Sequence, residues 1–247
     1  MIRKITLVLT MVVALSVAAR AEEHAHYDIS PYFLNDQLLT GGMSHGGQTL
    51  PPSIQVYGYE FGEDPFDPYN PSDPGVNQAA GIGNLPPGGS LRWNVLTGLR
   101  YWDGNGPALL TDPPAQTRIL LMLGTTQRVL TGASGPQAGG LVQTILQDGS
   151  VHRHFVTSLL AAPGTSNVPG DPGFLQPPQG IYAFGLELTL GYQNQTYQSP
   201  PLWVVFNNGL SEDAHDQMMD YIGNTVLPEP ATLSLLGLIG LALRRRR

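Results

Sequence analysis

The side chains best suited to chemistry in this chain are its six histidines: His24, His26, His45, His152, His154 and His215. Four of them form two H-x-H pairs, His24 with His26 and His152 with His154. On a β-strand, residues i and i+2 project to the same side, so each pair can turn two imidazoles toward one ion. Asp28 follows His26 at the same spacing and would add a carboxylate to that face. Imidazole with carboxylate suits zinc or copper, and nickel among the later metals. His152, His154, His24, His26 and Asp28 are therefore the candidate metal ligands. The same spacing also describes two solvated histidine pairs on polar strand faces, so metal binding is the sharper reading and a plain polar surface the simpler one. A conditional site lies at the start of the mature chain. Cleavage after Ala21 would leave Glu22-Glu23-His24, whose free amine, two amides and imidazole can wrap a square-planar Cu(II) or Ni(II). Cleavage after Ala19 removes that option.

Other stretches carry less chemistry. EDPFDPYNPSDPG places Asp64, Asp67 and Asp73 along a proline-rich segment. Polyproline II geometry separates successive carboxylates by about 9 Å, whereas calcium needs its oxygens at about 2.3–2.6 Å from one centre. A rigid surface loop is expected, with a fold-back of the loop as the one route to paired carboxylates. Tyr57, Tyr59, Phe66, Tyr69, Trp93, Tyr101, Trp102 and Tyr192 could make a sugar-stacking platform, although Trp93 and Trp102 flank a strand and belong in a core. There is no G-x-S-x-G, no H-E-x-x-H and no phosphate loop, so no enzyme is assigned. A secreted carbohydrate-active enzyme stays open as a third reading; it would need two carboxylates about 5 to 10 Å apart in an aromatic cleft.

The elements that must position these residues are mostly strands. Nine are expected: 26–29, 53–61, 91–96, 117–123, 127–131, 141–147, 151–159, 182–190 and 202–206. The clearest alternation is IYAFGLELTL, with Tyr182, Phe184, Leu186, Leu188 and Leu190 on one face. LWVVF has the uniform apolarity of a central strand. Asp148-Gly149 reads as a two-residue type I′ turn, which would set Gln147 opposite Ser150 and gather Val142, Leu146, Val151 and Phe155 on the apolar face. His152 and His154 would share the other face with Gln143 and Gln147. SEDAHDQMMDYIG is a helix with Ser211 as N-cap, acidic residues in its first turn and Gly223 as its stop. Ala214, Met218, Tyr221 and Ile222 would face the sheet. The expected fold is mainly β, a β-sandwich or jelly roll with one C-terminal helix, flanked by an N-terminal signal helix and a C-terminal hydrophobic helix.

Composition narrows the function classes. The 247 residues include 30 Gly and 22 Pro, which suits many short strands joined by turns. All 19 acidic residues lie between 22 and 230, where only five arginines and no lysine oppose them. Such a surface repels phosphate backbones, so no nucleic-acid partner is expected. With no cysteine, disulfides and thiolate chemistry are excluded.

The two ends read as addresses. A basic MIRK, an apolar run of ~15 residues and an A-x-A site form a signal peptide over residues 1–21. At the other end, Pro228-Glu229-Pro230 precedes an apolar run from Ala231 to Leu243 and the cluster Arg244, Arg245, Arg246 and Arg247. As a helix that run spans about 20 Å, short of the ~30 Å of a bilayer core. The order of these parts resembles the PEP-CTERM sorting signal. The resemblance covers only residues 226–247. It implies recognition by an exosortase-like enzyme, transient anchoring in the inner membrane of a Gram-negative-type bacterium, and delivery to the cell surface or an exopolysaccharide matrix. Residues 22–225 are then the exported β-rich domain, with a structural or binding role. Metal binding through the H-x-H strands is its first alternative.

Overall fold

The structure, a computed structural model, describes residues 27–44 and 47–227. The signal segment, His24, His26, His45 and the sorting segment from Pro228 to Arg247 lie outside the described residues. Among the described residues, no helix is long and apolar enough to cross a membrane.

The described chain is mainly β, with several sheets and one short helix. In order the strands are β1 (Asp28–Leu34), β2 (Gln37–Met43), β3 (Val56–Glu60), β4 (Gly75–Gln78), β5 (Ser90–Val95), β6 (Arg100–Trp102) and β7 (Arg118–Leu123). They continue with β8 (Thr126–Leu130), β9 (Gln137–Thr144), β10 (Val151–His154), β11 (Val156–Leu160), β12 (Gly180–Tyr192), β13 (Gln195–Gln198) and β14 (Leu202–Asn208). Helix α1 (Glu212–Tyr221) follows. The largest sheet runs β3-β14-β12-β5-β9, with β13 and β6 also paired to β12. A second runs β10-β4-β1-β2 and a third β11-β7-β8.

β12 organises the packing because both of its faces are buried. Tyr182, Phe184, Leu186, Leu188 and Leu190 enter one core with Leu202, Val204 and Phe206 of β14. That core also takes Ile29, Val76 and Val151 from the second sheet and Ile119, Leu121 and Leu159 from the third. Ile181 and Ala183 point the other way and meet Trp203, Val205, Met218, Met219 and Ile222 under the helix. The alternation expected at 182–190 and the central position of LWVVF are both observed. Trp93 and Trp102 are buried, as their flanking positions implied, but so are Tyr57 and Tyr59. Of the aromatic set only Phe66 is largely exposed, at 87%.

Three expectations fail. The Asp148-Gly149 turn is not the two-residue type. Only Gly149 has positive φ, Leu146 N–H donates to Ser150 O at 3.2 Å, and Gly149 N–H donates to Leu146 O at 3.0 Å. The loop is therefore three residues, Gln147 to Gly149, with glycine in the left-handed position. The two arms do not pair as a hairpin: β9 joins β5 in the largest sheet and β10 joins β4 in the second, and past the end of β9 it is Ile145 that is buried, while Leu146 is 52% exposed. Second, 151–159 is not one strand. It breaks at Phe155, so that β10 pairs with β4 and β11 with β7. Third, Gly223 does not stop the helix, which continues as a π-helical turn over Ile222–Val226. Ser211 does cap it, accepting from Ala214 N–H. The buried helix face is His215, Met218, Met219 and Ile222, with Ala214 and Tyr221 at its margins.

Burial of tyrosines gives the fold an alkaline limit. Burial pushes the hydroxyls of Tyr57, Tyr59 and Tyr182 above the ordinary tyrosine range. The one Tyr57 hydroxyl proton is shared between Gly41 O at 2.8 Å and Ile54 O at 3.1 Å. A group whose folded pKa exceeds its unfolded value of about 10 stabilises fully below that pH and loses its contribution above it. Thermal midpoints should stay level from about pH 7 to 9 and fall above about pH 10, each such group adding about 1.4 kcal/mol per pH unit to the slope. Tyr57→Phe should cost about 1–3 kcal/mol at neutral pH, because the buried Gly41 carbonyl loses this donor while Ile54 O keeps Thr40, and should flatten the alkaline slope. An unchanged slope would remove Tyr57 from this account.

Candidate metal centre

β10 and β4 bring the predicted histidines to a defined place. Their antiparallel register sets His152 opposite Asn77 and His154 opposite Gly75. β1 runs parallel to β4 on its other side, with Ile29 beside Val76. Cross-strand partners share a face. Val151, Val76 and Ile29 therefore point to the core, while His152, His154, Asn77, Gly75 and Asp28 occupy the opposite face.

Gly75 is the gap in that row. A Cβ built there would overlap the Asp28 carboxylate, so the missing side chain is what lets Asp28 lie toward His154. Asn77 Nδ2 donates to Asp28 Oδ2 at 3.1 Å and orients the carboxylate, which is 2% exposed. The third acid comes from the proline-rich segment. Its carbonyls serve as a one-sided edge for the start of β11: Phe155, Thr157 and Leu159 N–H donate to Pro74 O, Pro71 O and Tyr69 O at 3.0, 3.1 and 3.0 Å. Thr157 Oγ1 also donates to Asp73 O. This docking brings Asp73 to the face of Asp28 and His154. One ligand atom from each of Asp28, Asp73 and His154 lies within 4.8 Å of the other two.

The histidines are held in a matching state. His154 Nδ1 is 2.9 Å from Ser72 O. A carbonyl only accepts, so Nδ1 carries the proton and a neutral ring keeps its lone pair on Nε2. That Nε2 lies 2.9 Å from His152 Nε2. A backbone carbonyl holding Nδ1–H is the usual outer partner of a histidine that ligates through Nε2. His152 is exposed and His154 half-buried, so the group is reachable from solvent. Two imidazoles and two carboxylates fit the donor set of a zinc or copper site.

Asp28 and His154 thus come together as candidate ligands, while His152 touches His154 but is not part of the close trio. Asp73 was missed as a ligand; its only signal was the fold-back of the loop. Asp64 and Asp67 do not join it. Asp64 accepts from Phe66 N–H at 2.8 Å and Asp67 from Asn70 Nδ2 at 2.5 Å, closing local turns. His24 and His26 lie outside the described residues.

An open groove of about 640 Å³ lies elsewhere, lined by Tyr101, Trp102, Asp103, Asn105, Leu109 and Asp112 among others. It bears on the carbohydrate reading. Asp112 is paired with Arg100 at 2.6 Å, and the Asn105 backbone N–H beside Asp103 holds its carboxyl below the usual range. A glycosidase acid needs its pKa raised instead, so the groove lends that reading no support. No family model matches the chain, and neither a curated protein nor a solved structure matches it.

Proposed function

We propose that this is an exported surface or matrix protein whose sandwich-like β domain binds a divalent transition metal, zinc or copper, through Asp28, Asp73, His154 and His152. The observation that carries the reading is the convergence of three ligand groups from β1, β10 and the proline-rich loop within 4.8 Å, made by a glycine that vacates the space between them. Asp28, His152 and His154 stand on sheet strands and Asp73 on the proline-rich loop, so the centre would tie the loop to the sheet as well as hold the ion. No catalytic step is assigned to it. Export and sorting rest on the two terminal segments, and with them an exosortase-like processing enzyme, a temporary inner-membrane anchor and a matrix polysaccharide as neighbour.

The test is titration calorimetry of zinc, copper and nickel into the purified full chain, beside His152→Ala/His154→Ala. Loss of one sub-micromolar equivalent in the double variant, relative to the unaltered chain, is the expected result. Binding that survives unchanged would refute the centre and leave a surface module whose partner should be sought among polysaccharides.

A further inference from the structure

α1 lies across the outer face of the largest sheet, and its second turn presses His215 onto β3. The ring sits where glycine leaves room: a Cβ on Gly58 would lie 2.9 Å from its Cε1 and 3.1 Å from its Nε2. His215 is 1% exposed. Neither of its ring nitrogens has a hydrogen-bond partner. Nδ1 is 2.8 Å from Glu60 Oε1, yet the two are not aligned as donor and acceptor, and that oxygen is likewise buried without a hydrogen bond. Glu212 stands one helical turn before His215, so the i, i+3 spacing sets both on one side of α1. A carboxylate oxygen of Glu60, one of Glu212 and a ring nitrogen of His215 all lie within 4.8 Å of one another.

Buried polar atoms are almost always satisfied, and two carboxylates set this close repel unless a cation lies between them. A hydrogen bond would satisfy one contact of the three. A divalent ion would satisfy all three and turn the misaligned 2.8 Å approach into two ligands sharing one centre. We infer that Glu60, Glu212 and His215 form a second divalent-metal site, of zinc or manganese type, that clasps the start of α1 to the end of β3. One imidazole and two carboxylates suit these borderline and harder ions. Glu212 is exposed, which leaves the outer positions to water. The site shares no residue with the His152/His154 centre and does not depend on it.

The two can be separated by experiment. In the full chain carrying His152→Ala/His154→Ala, zinc and manganese titration should still show one bound equivalent, and the ion should raise the thermal midpoint. Adding Glu60→Gln, which keeps the side chain's size, should weaken that binding about 100-fold or more, beyond the 10- to 100-fold typical of an outer-sphere loss. Glu212→Gln changes an exposed residue and should weaken it in the same direction even if Glu60→Gln perturbs folding. Asp213→Asn, a neighbouring charge outside the trio, should leave it unchanged. Absence of binding in the double-histidine background, or residual binding indifferent to both glutamine variants, would overturn the inference and leave His215 and Glu60 as a buried ion pair. Loss of the first centre's equivalent alone would leave this one standing.

Discussion

Gly75→Ala should abolish high-affinity metal binding at the Asp28–Asp73–His154 centre although glycine itself ligates nothing. Gly75 lies in regular strand backbone with no left-handed φ, so an alanine meets no conformational obstacle there. The obstacle is the Asp28 carboxylate, which occupies the space a Cβ would take. Either the carboxylate swings away from His154 and Asp73, or β1 and β4 part. The first outcome removes a ligand and should weaken zinc binding by about 100-fold or more, past the range for lost outer partners. The second should destabilise the domain by about 1–3 kcal/mol, the usual cost of overpacking. Zinc calorimetry and urea denaturation of one preparation would read both. Combining the change with Asp28→Ala gives the decisive control. Contacting residues are non-additive, so in that background Gly75→Ala should cost little further stability. Full additivity would mean that the two side chains do not compete for this space.

Trp93→Ala should be the most damaging single substitution in the core. Trp93 is fully buried at the middle of β5, paired in register with Leu188 of β12. Its ring meets Phe155 edge-to-face at 5.0 Å. Phe155 is the residue at which the chain leaves β10 for β11, so this one contact joins the largest sheet to both smaller ones. On the adjacent strand, Gly139 gives up its side chain to the tryptophan: a Cβ there would overlap the Trp93 carbonyl. Truncation to alanine should cost about 3–5 kcal/mol, a fifth or more of a typical domain's stability of about 5–15 kcal/mol. Chemical denaturation followed by circular dichroism would measure it. Trp93 Nε1 has no partner, so Trp93→Phe forfeits volume but no hydrogen bond and should cost clearly less. Equal costs for the two would mean the loss is not one of packing.

Legibility followed the range of the interactions. The β12 alternation, the uniform apolarity of β14 and the Ser211 cap rest on neighbours a few residues apart, and all were readable. Strands such as Gln37–Met43 and Gly75–Gln78 were not, since QLLTGGM and GVNQ have little apolar pattern and form because β1 and β10 supply partners. His215 was visible only as one more histidine on a helix; its burial depends on Gly58, far away in sequence.

The sequence by itself determined the strand-rich class, the acidic surface, the lack of thiol chemistry and the pairing of His152 with His154 on one side of a strand. These follow from composition and from the two-residue period of β-structure. The tertiary structure decided which acids meet them. Asp28, Asp73 and His154 stand far apart along the chain, and their meeting depends on a parallel β1–β4 pairing, an antiparallel β4–β10 pairing and a proline-rich loop donated to the edge of β11. Around Asp148-Gly149 the two arms, adjacent in sequence, went to different sheets, β9 to β5 and β10 to β4, with Ile145 turned inward and Leu146 to solvent. Local sequence specifies a turn but not the partner of each arm, so that choice is settled by which neighbouring strands can bury its apolar side chains.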